Sequence, residues 1–105
     1  MGNLNKGEIG QKIRLDFNED ISLATPTLII EPKVGTKLEL TTGVTIPSSD
    51  VTVDGHLFSA DQYVEYTTLA ETDLAYVGRN RYKAKLTFSA TDIRQSDYIY
   101  FTVLP

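Results

Sequence analysis

The sequence contains no cysteine and no tryptophan. Without cysteine there are no disulfides, no thiolate metal sites and no cysteine nucleophile, so the fold must be held by its core. Long hydrophobic runs are missing too. Nowhere do about 18 uncharged apolar residues stand together, the length a membrane-spanning helix needs, and the opening MGNLNKGEIGQK has no apolar stretch of signal-peptide length. No membrane insertion is expected, and synthesis without a signal peptide in the cytoplasm is. Gly2 invites myristoylation, but Lys6 stands where that motif requires Ser or Thr. Positive charge is in deficit: ten basic against fourteen acidic residues leave a net charge of −4. That sign is wrong for phosphate-backbone binding, and nucleic acid is not an expected partner.

What is present is a globular composition, 41% hydrophobic and 23% charged, in a chain of 105 residues with no low-complexity tract, repeat or linker. A single domain over residues 8–105 is expected, preceded by a polar, flexible arm over residues 1–7. The dominant period is two. In QKIRLDF, Ile13, Leu15 and Phe17 alternate with Lys12, Arg14 and Asp16, and in YKAKLTF, Tyr82, Ala84, Leu86 and Phe88 alternate with Arg81, Lys83, Lys85 and Thr87. Each pattern predicts a strand with one buried face. TLII, TKLELT, QYVEYTTL and YIYFTVL add runs rich in β-branched and aromatic residues. EPKVGT reads as a hairpin connection, IPSSD closes one short strand, VTVDGH offers another before an Asp54-Gly55 turn, and SATDIRQSD separates the last two strands. AETDLAYVG has room for one helical turn. The pattern is all-β, most economically a two-sheet sandwich.

Four places invite a functional reading. RLDFNEDIS sets Asp16, Asn18 and Asp20 at alternate positions, the rhythm of a calcium loop, but Ile21 and Thr27 stand where such a loop needs its glycine and closing glutamate. A solvated acidic turn is expected, with Phe17 inward and Asp16, Glu19 and Asp20 left to water; no metal ligand or cofactor site is assigned. His56, the one histidine, lies close in sequence to Ser48, Ser49, Asp50 and Asp54, a set that includes the residue types of a hydrolytic triad. With no nucleophile elbow or paired histidines, no catalytic residue is assigned and the protein is expected not to be an enzyme. Arg79, Arg81, Lys83 and Lys85 recur every second residue and form a basic ladder on one strand face, suited to an acidic partner or to water. Tyr98, Tyr100 and Thr102 share one face of the last strand while Ile99, Phe101 and Val103 share the other. A strand apolar on both sides asks for cover beyond the opposing sheet, and a subunit neighbour would supply it. Arg79, Arg81, Lys83, Lys85, Tyr98 and Tyr100 are thus the candidate interface residues.

The order of motifs carries one resemblance. IRLDF, the acidic NED turn with ISLAT, a strand running into a Pro/Gly hairpin, then YVEYTTL, DLAYVG, YKAKLTF and a closing FTV resemble, over residues 8–104, a family of small immunoglobulin-like proteins of tailed bacteriophages. Members are similar to the N-terminal domain of phage upper baseplate proteins. Asp16, Glu19 and Asp20 match the acidic strand end, Ala24 and Thr25 the small pair after it, Pro32, Gly35 and Thr36 the hairpin, and Asp73, Leu74, Gly78 and Tyr82 a later segment. Two departures matter. Lys33-Val34 replaces a single Asp in the hairpin, and Arg79-Asn80-Arg81 lengthens the stretch between Gly78 and Tyr82, which implies a longer or bulged corner.

The resemblance implies an immunoglobulin-like antiparallel β-sandwich of about seven to eight strands, with no catalytic residues to carry over. It further implies a structural component of the virion that joins or decorates baseplate, tail, fibre or capsid through contacts with other virion proteins, with self-association within the assembly. The alternative from another class is a module that binds host-surface glycan through Tyr63, Tyr66, Tyr98 or Tyr100.

Overall fold

Alternation becomes strand wherever the sequence shows it. The computed structural model describes residues 4–69 and 71–105. Among them are the strands β1 (Leu4–Asn5), β2 (Lys12–Asp16), β3 (Thr25–Pro32), β4 (Leu38–Leu40), β5 (Val44–Thr45) and β6 (Val51–Val53). They continue with β7 (His56–Phe58), β8 (Tyr63–Thr67), β9 (Gly78–Ser89), β10 (Asp92–Gln95) and β11 (Ile99–Leu104), and one 3-10 turn spans Glu71–Leu74. The fold is all-β, and among the described residues no helix is long and apolar enough to cross a membrane.

The larger sheet has six strands in the order β1-β11-β9-β3-β4, with β10 also paired to β9. The smaller has the order β2-β8-β5, and β6 and β7 form a separate hairpin. The two sheets share one core. Ile13, Leu15, Val44, Val64 and Tyr66 enter it from the smaller sheet, and Leu28, Ile30, Tyr82, Ala84, Leu86, Phe101 and Val103 from the larger. Ile21 and Leu74 reach it from connections. Each large aliphatic side chain so buried contributes roughly 1.5–3 kcal/mol.

The β6–β7 hairpin adds a small third layer over the opposite face of β8. Asp54 and Gly55 both take positive φ, 50° and 80°, the signature of the two-residue turn that matches strand twist. Beneath the hairpin Tyr63 is 2% exposed, its ring 5.4 Å from that of Phe58 and its hydroxyl donating to the Ser49 carbonyl at 3.1 Å.

One end of the core is closed by a buried polar knot. The Tyr66 hydroxyl donates to Asp73 at 2.5 Å, and the same carboxylate oxygen accepts the Leu69 amide at 2.9 Å. Together they fasten the 3-10 turn to the end of β8 and seat Leu74, which is 1% exposed. Burial, and then the Asp73 bond, push the Tyr66 hydroxyl up to about 12.

Four expectations need adjustment. Eleven strands stand among the described residues where seven to eight were expected. SATDIRQSD is no plain connection, since Asp92–Gln95 forms β10, folded back on β9 around Ala90 and Thr91. Its side chains are mostly exposed, so burial left no pattern to read. Arg79-Asn80-Arg81 makes neither corner nor bulge. All three lie in regular register with β11, and Asn80 and Arg81 also with β3, and Asn80 turns inward to donate to the Tyr76 and Gly78 carbonyls, both at 3.1 Å. Pairing is not wholly antiparallel either, because β1 runs parallel to β11. Of the expected arm, residues 1–3 lie outside the described residues. Leu4 to Gly7 run along the domain: Leu4 packs on the core, Lys6 donates its amide to the Leu104 carbonyl at 2.7 Å and Gly7 to that of Leu74 at 3.0 Å.

Two substitutions check this account. Leu28→Ala, at a side chain with no exposed surface, is expected to lower stability by about 2–5 kcal/mol in urea unfolding. Tyr66→Phe, which strips a buried carboxylate of one donor, is expected to lower it by about 1–3 kcal/mol.

Candidate functional site

The twelve residues of β9 partition the larger sheet. Asn80, Tyr82, Ala84 and Leu86 point inward and are buried, so Arg79, Arg81, Lys83 and Lys85 must share the outer face. Antiparallel register then fixes their neighbours. On one side β11 sets Tyr100 opposite Arg81 and Thr102 opposite Arg79. On the other, β3 sets Glu31, Ile29 and Thr27 opposite Arg81, Lys83 and Lys85. Tyr98, just before β11, joins the same face.

The basic and aromatic side chains interleave. The Arg79 guanidinium lies 4.7 Å from the Tyr100 ring centroid, that of Arg81 lies 3.8 Å from the Tyr98 ring, and the Lys83 ammonium 4.6 Å from the same ring. Such stacks are worth about 0.5–1 kcal/mol each at exposed sites. Glu31 ties the group together by accepting a short hydrogen bond from the Tyr98 hydroxyl and pairing with Arg81 at 3.5 Å. The Tyr98 hydrogen bond, with the positive charges of Arg81, Lys37 and Lys83, holds the Glu31 carboxyl below the usual glutamate range against the opposing effect of desolvation. Ile29 is only 6% exposed although it faces outward. Its cross-strand neighbours are Lys83 and Glu39, whose aliphatic stems suit it as cover.

All six sequence-predicted interface residues therefore meet on one surface. The cover that the doubly apolar last strand demanded comes in part from within the chain, as arginine planes laid over tyrosine rings. Tyr100 remains 49% exposed. Glu31 and Lys33 carried no signal in the sequence, because only the pairing of β3 with β9 brings them here.

The tyrosines proposed for sugar stacking divide. Tyr63 and Tyr66 are each 2% exposed and present no ring face to a ligand. Tyr98 and Tyr100 lie at the surface with cations already over their rings.

The acidic stretch and His56, read apart in the sequence, are in contact. The His56 Nε2 lies 2.9 Å from Asp16 Oδ2, and the Asp16 side chain is 13% exposed. Asp16 is therefore held by the hairpin, not left to water as expected. Its Oδ1 accepts the Asn18 amide at 2.9 Å, and Asp20 Oδ1 accepts that of Ser22 at 2.9 Å. These are turn-forming bonds. A cleft of about 520 Å³ adjoins the pair, lined also by Lys12, Arg14 and Asp54. Ser48 and Ser49 do not line it, and Asp50 instead accepts the Ala60 amide at 2.7 Å. The triad that sequence proximity suggested is not assembled. Among the described residues, no three histidine or acidic side chains gather as a metal site would need.

The chain matches no family model, no curated protein and no solved structure.

The Glu31 geometry predicts a titration. Because its carboxyl is lowered on folding, its contribution to stability is complete above the ordinary glutamate range and is lost as pH falls through the lowered value. Tyr98→Phe is expected to raise the Glu31 titration midpoint toward that ordinary range, read from its side-chain carboxyl carbon by NMR. An unmoved midpoint would refute the assigned cause.

Proposed function

We propose that this domain is a non-enzymatic binding module of a tailed-phage particle, an immunoglobulin-like building block that attaches to another virion protein through the outer face of its larger sheet. It joins or decorates baseplate, tail, fibre or capsid. The observation that carries the binding role is the gathering of Arg79, Arg81, Lys83, Lys85, Tyr98 and Tyr100 on one face of a chain whose net charge is −4. Arginine and tyrosine are the residues that dominate protein interfaces. A basic field on an acidic molecule also orients its approach to an anionic partner.

Strand order supports the immunoglobulin-like reading. Taking β2, β3, β4, β5, β8, β9 and β11 as strands B, C, C′, D, E, F and G places B-E-D against G-F-C-C′, the arrangement of that sandwich. The assignment to a phage particle rests on the order of sequence motifs. The glycan reading is weaker, since it is left with two tyrosines whose rings already hold cations.

Mass spectrometry of purified particles is expected to find the chain, and its absence would end the virion reading. Labelled domain is further expected to rebind saturably to particles depleted of it, more weakly as salt rises. The Lys83→Glu, Lys85→Glu double variant should lose at least tenfold in affinity while its thermal unfolding stays within a few degrees of the parent. Unchanged affinity would remove the sheet face as the docking surface.

A further inference from the structure

We propose that the depression at the Lys33 end of this face is a carboxylate pocket, which receives an Asp or Glu side chain from an extended segment of the partner protein while an apolar neighbour of that residue lies on Val34 and Val77. The inference deepens the binding-module reading and rests on it.

The depression measures about 330 Å³ and is lined by Glu31, Lys33, Arg79, Asn80, Arg81 and Tyr100. Of its three cations, Arg81 is already paired with Glu31, while Lys33 and Arg79 join Lys6, Lys83 and Lys85 as the cations without a carboxylate within 4 Å among the described residues. Lys12, Arg14, Lys37, Arg81 and Arg94 each lie within 4 Å of one. Lys33 and Arg79 line the same depression. Arg79 is also oriented, its guanidinium 4.7 Å from the Tyr100 ring centroid, and a guanidinium presents the planar fork that grips a carboxylate with two hydrogen bonds.

The walls are set in advance of any ligand. The Lys33 amide donates to the Arg79 carbonyl at 2.8 Å, and Asn80 holds the carbonyls of Tyr76 and Gly78. Gly35 has φ of 142°, and a Cβ there would stand 2.5 Å from the Tyr76 ring. Only glycine lets loop and ring approach so closely. Less ordering remains to be done on binding, which favours affinity. Next in sequence to Lys33, Val34 is 79% exposed, and Val77, two residues before Arg79, is 49% exposed, apolar surface in a stretch otherwise rich in charge. Glu31 on the wall sets the class of anion, because a single negative charge is tolerated there better than the two of a phosphate group.

Selection of random dodecapeptides by mRNA display on the folded full chain tests this. Acidic residues next to an apolar one are expected to be enriched. A selected peptide should bind at least tenfold more weakly when its acid is changed to the amide, or when the domain carries Arg79→Ser. Its amide chemical-shift changes should centre on Lys33 to Gly35 and Tyr76 to Arg81. Lys33→Ser provides a second variant should Arg79→Ser fail to fold. Enrichment without regard to acids, equal binding by the folded variants, shifts centred elsewhere, or tighter binding of a phosphoserine peptide than of its glutamate counterpart would each overturn the proposal. If peptides fail while the lysine double variant still loses the particle, only the pocket falls; if particles lack the chain while peptides bind as described, only the virion reading falls.

Discussion

The larger sheet depends on the register of β9. A slip of one residue against β3 or β11 would exchange its two faces, taking Tyr82, Ala84 and Leu86 out of the core and driving Arg79, Arg81, Lys83 and Lys85 into it. Burying even one unpaired cation costs several kcal/mol, so the alternative register is heavily penalised. The ladder therefore specifies the fold before it serves any partner. Two strands, β10 and β11, follow one another along the same edge of β9, whose twelve residues are long enough to pair with both. At the gap between them Ser96 stands in as a strand, its hydroxyl accepting the Ala84 amide and its own amide donating to the Ala84 carbonyl, both at 3.0 Å.

The same constraint explains the chemistry of the outer face. Four cations in alternate positions repel one another, and tyrosine rings beside three of them, Arg79, Arg81 and Lys83, offset part of that repulsion. Tyr98 accepts Arg81 and Lys83 on its ring, Tyr100 accepts Arg79, and Glu31 adds an opposite charge beside Arg81. The surface that results is ordered without being neutral, a suitable state for recognition. His56 and Asp16 are a different case. Their bond joins a peripheral hairpin to β2, and its geometry is accounted for by that structural task.

Much of this is legible in the residues. The alternation in β2 and β9 marks strands and faces together, so the ladder and the two-sided character of β11 follow from spacing alone. What spacing does not show are features fixed by a neighbour's register. Glu31 and Lys33 join the face only through the β3–β9 pairing, and Asp16 meets His56 across 40 positions of chain. Tyr63 and Tyr66 mark the limit of composition: both are aromatic residues on a strand, yet one is roofed by a hairpin and the other bonded to Asp73. β1 and β10 escape notice for opposite reasons, the first too short for any period to show, the second mostly exposed.

The parallel pairing of β1 with β11 has a mechanical consequence. These are the first and last strands described, lying side by side and running the same way, with the Lys6 amide bonded to the Leu104 carbonyl beyond the pair. Tension between the two ends of the domain would pull these neighbours along their own axes in opposite senses. The hydrogen bonds would be strained together in shear, not opened one after another as in a peeled hairpin. A domain strung between two anchors would then resist stretching at this seam first, although the seam is only two residues wide.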